Sequence, residues 1–375
     1  MSKKQPETAG NNAAVEEALG YVRGCVRETP GYVPGLQPKP GERLVKLNTN
    51  ENPFPPSPRV LDAVKRAADG MLRLYPSPRG DALREEAAKL YGLSPAHVLC
   101  GNGSDEILAM IMRTFVSEGD TISFFRPSYS LYPVLAALAR ARTVTAPLPR
   151  DAFARGIDGL PVPSPRAKVF FLSTPNSPYG FAFPTEWIKR LLSSFPGIVV
   201  ADEAYVDFAP ESSLPLLAEN PRLIAVRTLS KTFSLAGMRV GFAFAHEKLI
   251  EQLMKVKDSY NLSRLAQEAG RAALADRKYL AETRDRIKAT RKSFSGSLTG
   301  LGFTVVPSDA NFVFAVPPAG LTARSLYQRL LSRGFLVRYF EAEEISDGLR
   351  ISIGTESDME ALSTEIEEAV HGDKR

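Results

Sequence analysis

At 375 residues the chain is too long for one ordinary core and predicts two domains, and an apolar fraction of 44% with 24% charged residues is typical of a globular protein that lives in water. The net charge of +5 is small and its basic residues alternate with acids, as over 277–292, which argues against nucleic-acid binding. Cys25 and Cys100 cannot build a disulfide framework, and the scattered His97, His246 and His371 offer neither a zinc site nor a histidine triad. The start, MSKKQPETAGNNAA, lacks the apolar core of a signal peptide and no run reaches membrane length, so the expected location is cytoplasmic.

In chain order, the first dozen residues are polar and are expected to be disordered. Residues 13–27 fit one amphipathic helix, after which Pro30, Pro34, Pro38 and Pro40 impose an extended arm. A loop dense in Asn and Pro follows at 46–58, and helical spacing returns at 61–72 and 82–91, with Tyr75 between them. Apolar runs then alternate with helices: strands are expected at 97–100, 121–125, 143–146, 168–173, 198–201, 223–227 and 240–245, with helices at 105–116, 131–140 and 185–194. That alternation is the signature of an α/β fold, a seven-stranded, mostly parallel sheet covered by helices. Beyond residue 247 long helices run to about 298, and a smaller α+β unit follows, with strands at 312–316, 336–339 and 349–353 and a helix at 322–333. Ser357 and Glu360 have capping-box spacing for a last helix ending near 370. The expected division is an amino-terminal arm and helix (1–45), a large domain (46–280) and a small carboxyl-terminal domain (281–375).

Three stretches carry the chemistry. In RTLSKTFSLAGMRVGF, starting at Arg227, Ser230 and Lys231 sit just past a buried strand, in the crevice where open α/β sheets bind ligands, and Arg239 comes eight residues later. Alone, these also read as a solvated loop lysine and a surface arginine. IVVADEAY, starting at Ile198, delivers Asp202 to the end of a buried strand, where an unpaired charge is costly and wants a cation, either a ligand or a structural arginine; Tyr205 follows three residues on. GNGSDE, starting at Gly101, opens a helix with free amides suited to a phosphate, or makes only a tight loop. Together a lysine amine, a buried aspartate, a tyrosine and a glycine-lined helix start describe a site for pyridoxal 5'-phosphate. Lys231 would form the imine, Asp202 would keep the pyridine nitrogen protonated and Tyr205 would bond the phenolate oxygen. Gly103, Ser104, Ser230 and Arg239 would hold the phosphate, and Tyr129 would face the ring.

With these pieces in place the chain resembles the fold type I pyridoxal phosphate aminotransferases, and within them the branch that acts on histidinol phosphate. YVPG at Tyr32, NTNENP at Asn48, YPSP at Tyr75, GNGSDE, RPSYSLY, STPNSPYG, ADEAY, TLSKTFSLAGMRVGF, LVRYF and LRISIGT occur in the expected sequence over nearly the whole chain. The resemblance implies that Lys231 is the Schiff-base lysine and proton shuttle, and that Asp202, Tyr205, Ser230, Arg239, Ser104, Asp105 and Tyr129 surround the cofactor. It implies a homodimer with shared sites, Tyr75 reaching the neighbouring subunit's cofactor phosphate. Arg350 corresponds to the arginine that binds a substrate anion, and Arg338 and Tyr32 look like the pair that helps hold the distal phosphate of histidinol phosphate. One departure stands out: where the family has Asn, Pro, Thr, Gly, this chain has Ser177, Pro178, Tyr179, Gly180. Asn176 is the expected substitute contact to the ring oxygen, and Tyr179 is expected to reshape the pocket wall. The implied reaction moves an amino group between histidinol phosphate and 2-oxoglutarate, in histidine biosynthesis. An aromatic amino acid aminotransferase and a threonine-phosphate decarboxylase compete as readings, and a cofactor-binding regulator is the non-enzyme alternative.

Overall fold

The computed structural model describes residues 9–39, 41–42, 44–152, 156–161 and 164–372; the polar stretch 1–8 and Pro40 of the expected arm lie outside them. The single helix expected at 13–27 is two, α1 (Ala9–Gly20) and α2 (Gly24–Glu28), so residues 9–12, expected to be disordered, are helical. Gly20 and Gly24, the two poorest helix formers in the stretch, flank the break. Residues 29–39 then carry neither helix nor strand, as the prolines dictate.

A two-residue strand β1 (Val45–Lys46) leads to α3 (Pro58–Ala67), which Ser57 caps and Pro58 starts. The helical spacing expected to reach residue 72 continues only as a separate 3-10 turn, Gly70–Arg73, and α4 (Asp81–Tyr91) follows. The large sheet is then laid down by β2 (Val98–Gly101), α5 (Ser104–Phe115), β3 (Thr121–Arg126), α6 (Leu131–Leu138), β4 (Arg142–Pro147), β5 (Val169–Ser173), α7 (Thr185–Ser194), β6 (Ile198–Asp202), β7 (Leu223–Thr228) and β8 (Gly241–Ala245). Its order is β2-β8-β7-β6-β5-β3-β4, with β8 antiparallel to both neighbours and every other pair parallel. Successive side chains leave opposite faces of a strand. Phe170, Leu172, Val199, Ala201 and Ala225 accordingly enter one apolar cluster, and Val169, Phe171, Val200, Ile224 and Val226 the other. The inner strands are buried on both faces and need continuously apolar runs, which made them legible in the sequence, whereas the edge strand β4 is largely exposed.

Helices α8 (Glu247–Val256), α9 (Arg264–Ala275) and α10 (Arg277–Gly300) lead to the second sheet. Its strands are β9 (Thr304–Val306), β10 (Phe312–Val316) and, after α11 (Ala323–Ser332) and β11 (Phe335–Leu336), β12 (Arg338–Tyr339) and β13 (Leu349–Ser352), in the order β12-β13-β10-β9, all antiparallel. The strand expected at 336–339 is split: Leu336 pairs in parallel with β1, whereas Arg338 and Tyr339 pair with β13. Because β1 pairs with β11, the loop that follows it is drawn between the two sheets. The last helix, α12 (Glu356–His371), is capped by Thr355 with Asp358, not by Ser357 with Glu360. The earlier pair closes reciprocally, Asp358 N donating to Thr355 Oγ1 (3.2 Å) and Thr355 N to Asp358 Oδ2 (3.0 Å), and Met359, Leu362 and Ile366 are buried in the core of the small unit. Among the described residues no helix is long and apolar enough to cross a membrane, and no group of His, Cys, Asp and Glu could hold a metal ion.

Candidate active site

Since all strands of the large sheet but β8 run the same way, the loops after Gly101, Arg126, Ser173, Asp202 and Thr228 open on one edge. A cavity of about 590 Å³ lies there, lined by Ser104, Tyr129, Asp202, Tyr205, Ser230 and Lys231 from the large sheet's side. Its other wall comes from the loop after β1, from the arm through Tyr32, and from Arg338 and Arg350 of the small sheet.

Lys231 reaches into this cavity and donates from Nζ to the Thr49 carbonyl (2.9 Å), with its ammonium 5.6 Å from the centre of the Tyr205 ring. Burial, then the Arg350 guanidinium, lowers its pKa to about 8. Asn52 fixes the lysine's own backbone by donating to the carbonyls of Lys231 (3.1 Å) and Thr232 (3.0 Å).

Asp202 ends β6 at 5% exposure. Its Oδ2 accepts the Tyr132 hydroxyl at 2.7 Å, while Oδ1 is buried without a hydrogen-bond partner. Burial raises its pKa to about 6 despite that hydroxyl. Of the two cations the sequence left open, no structural arginine among the described residues bonds Asp202; Arg227 goes instead to the neighbouring Glu203, with Nε at 2.9 Å and a terminal nitrogen at 2.8 Å from Oε2. Tyr205 accepts from Asn50 Nδ2 (2.9 Å), and burial raises its pKa. Asn50 is anchored in turn, its amide donating to Ser352 Oγ (2.9 Å) and its Oδ1 accepting from that hydroxyl (2.9 Å).

At the other end of the cavity Gly103, with φ 82°, caps α5. A side chain there would collide with the Arg239 guanidinium, which bonds Ser230 Oγ (3.2 Å) and lies 3.5 Å from Asp105 Oδ2. Asp105 Oδ1 accepts the Tyr129 hydroxyl (3.0 Å), and burial followed by that carboxylate raises the Tyr129 pKa. Free amides at a helix start beside an arginine and a serine make an anion site.

Arg338 and Arg350 stand directly opposite each other on the antiparallel β12 and β13. Like charges at such a pair destabilise a sheet, so the arrangement suits an anion between them. Arg350 is held by Ser177 Oγ (3.0 Å) and the Asn48 carbonyl (2.8 Å), and burial lowers its pKa. Tyr32 meets Tyr129 edge-on with ring centres 6.0 Å apart.

Two expectations, for Asn176 and Tyr179, need correction. Asn176 does not line the cavity: its Nδ2 donates to the Pro127 carbonyl (3.2 Å) and its Oδ1 accepts from the Tyr179 amide (3.2 Å), so both ends are engaged by backbone. Ser177 faces the cavity in its place. Tyr179 is not a wall either; it is buried against Phe181 and Phe314 in the core. Tyr75 lies away from its own chain's cavity, 80% exposed and stacked on Tyr260 at 4.4 Å. Sequence reasoning also passed over Tyr132, Asn50 and Asn52. Tyr132 stands three residues after Tyr129 in SYSLY, the spacing that puts both on one face of a helix start, and that was the available signal.

A lysine amine, a buried carboxylate and an anion-binding helix start at the ends of parallel strands define the class, and the family comparison agrees. Residues 42–366 match the family aminotransferase class I and II, and the chain belongs to that family. Its curated relatives include the histidinol-phosphate aminotransferases of Citrifermentans bemidjiense, 46% identical over 90% of this chain and 95% of that protein, and of Geobacter sulfurreducens, 45% identical over 92% and 98%. The crystal structure of the Sinorhizobium meliloti histidinol-phosphate aminotransferase in complex with pyridoxal-5'-phosphate superposes with a TM-score of 0.82 at 27% identity, covering 94% of this chain and 98% of that one.

Proposed function

We propose that the cavity binds pyridoxal 5'-phosphate and transfers an amino group between histidinol phosphate and 2-oxoglutarate, a step of histidine biosynthesis. The observation that carries this reading is one cavity holding Lys231, Asp202 and Tyr205 on one side and two facing arginines on the other. The residues present fit the cofactor. The partnerless Asp202 Oδ1 is a buried acceptor suited to a protonated ring nitrogen, and Ser104, Ser230, Arg239 and the amides after Gly103 suit a phosphate. Tyr205 suits the ring oxygen and Tyr129 the ring face.

When bound, the cofactor supplies an aldehyde to carry the amine and a ring that accepts the electron pair left at the substrate's α carbon. Lys231, through Nζ, would take the proton from that α carbon, hold it and return it. Its lowered pKa leaves an appreciable share of neutral amine near pH 8, the form a base requires. Asp202, kept as a carboxylate, stabilises positive charge at the ring nitrogen. Arg350 and Arg338 orient the anionic ends of the two substrates, a carboxylate and a phosphate monoester, since a guanidinium forks onto either.

The same reading includes a homodimer in which Tyr75 completes the partner's phosphate site. Its support is a run of exposed apolar residues, Met71, Leu72, Leu74 and Tyr75, none of which lines the chain's own cavity. The division at 45/46 and 280/281 belongs to it too, with α10 spanning the second boundary. Borohydride reduction of the protein loaded with pyridoxal phosphate, followed by peptide mapping, tests the cofactor assignment. The label is expected on the peptide containing Lys231; a label elsewhere, or none, contradicts it.

A further inference from the structure

Resting on the reading of Asp202 just given, we propose that Tyr132 is a positioning residue that clamps one oxygen of the Asp202 carboxylate and leaves the other for the cofactor's ring nitrogen. Tyr132 is fully buried in the first turn of α6 and is not a wall of the cavity. Its ring stacks on Phe171 (centres 4.9 Å apart) and meets Phe124 and Tyr129 edge-on (5.7 Å each), so the phenol is held by an apolar shell. Its hydroxyl leaves that shell toward Asp202 Oδ2 at 2.7 Å, a short charge-assisted hydrogen bond shielded from water. Oδ1 has no hydrogen-bond partner, so the Tyr132 hydroxyl distinguishes the two oxygens of one carboxylate, with the Ala204 backbone a weaker influence beside it.

The bond also acts on charge. Burial raises the Asp202 pKa, Asp105 on α5 and Glu203 in the adjoining position raise it further, and the Tyr132 hydroxyl is the strongest influence pulling it down. Lys231, Arg239, Arg350, Tyr205 and Tyr129 are further titratable groups on the walls of the same cavity, with Tyr32, Arg126, Arg338 and Glu344 beyond them. A carboxylate that took a proton would no longer stabilise a cation beside it, so the hydroxyl helps keep Asp202 in its working form.

Tyr132→Phe removes the hydroxyl and keeps the ring. In apoprotein labelled with carbon-13 at the aspartate carboxyls, with the Asp202 signal assigned by Asp202→Asn, its titration midpoint is expected to move up by roughly one pH unit. In the loaded protein kcat for histidinol phosphate is expected to fall about tenfold or more while KM changes less than about threefold, as for a group that acts in the transition state. In the Asp202→Asn background Tyr132→Phe should cost little further, because its effect runs through that carboxylate. An unmoved Asp202 midpoint with unchanged kcat overturns the proposal, as do losses that simply add in the double variant. If the parent protein takes up no cofactor, the functional reading fails, and the apoprotein titration still decides whether Tyr132 governs Asp202.

Discussion

Replacing Lys231 by methionine is expected to lower amino transfer by at least about 10⁴-fold, since among the described residues it removes the only lysine amine lining the cavity, while the phosphate end of the site stays intact. Single-turnover kinetics with histidinol phosphate read the loss directly. The same variant carries a second signature in the apoprotein. The Lys231 pKa is lowered from 10.5 to about 8 in the folded chain, chiefly by burial. Below pH 8 both folded and unfolded lysines are protonated and the cost of burying the charge is fully present. Between about 8 and 10.5 the unfolded chain binds the extra proton, so stability rises with pH and the cost is relieved. Methionine should therefore stabilise the apoprotein by roughly 1–3 kcal/mol at pH 7, with the advantage fading as the pH passes 10. Thermal melts at pH 7 and 10 check this; equal gains at both values would point to packing instead of charge.

Replacing the facing arginines is expected to separate the two substrates. Arg350 is gripped by Ser177 and the Asn48 carbonyl and packs over Phe312 and Phe340, so its fork has a fixed direction, whereas Arg338 packs its guanidinium over Phe340. Arg350→Met should weaken both glutamate and histidinol phosphate. Arg338→Met should weaken histidinol phosphate about 10- to 100-fold and glutamate far less, in line with about 1.5–3 kcal/mol for a hydrogen bond to a charged group. Half-reaction rates with each amino donor over a range of concentrations check this. Equal losses for both donors in Arg338→Met would remove that residue from the phosphate end.

Much of this was legible in the sequence where an apolar run ended abruptly in chemistry. Asp202 closes IVVAD and Lys231 follows LIAVRTLS, and a strand buried on both faces tolerates such groups only at its end. Legibility failed where a side chain's direction depends on tertiary neighbours. Tyr132 meets Asp202 because β3, which leads into α6, lies two strands from β6 with β5 between them, an order that periodicity does not encode. Asn50, at φ 56°, is set by the pairing of β1 with β11, strands of two residues each that are too short to show a pattern. Asn176 and Ser177 differ by one position, and the turn alone decided which faces the cavity. Spacing placed the capping box of the last helix at Ser357 and Glu360, and the structure closes it two residues earlier, at Thr355 and Asp358.

The account stands or falls on a half-reaction. The protein loaded with pyridoxal phosphate is mixed, without any keto acid, with histidinol phosphate, phenylalanine or threonine phosphate, and the cofactor's visible band is followed while products are identified. Rapid loss of the band with formation of the keto product from histidinol phosphate, and slow or no loss with the other two, is the predicted result. Equal reaction with phenylalanine, or release of carbon dioxide from threonine phosphate, would contradict the substrate assignment.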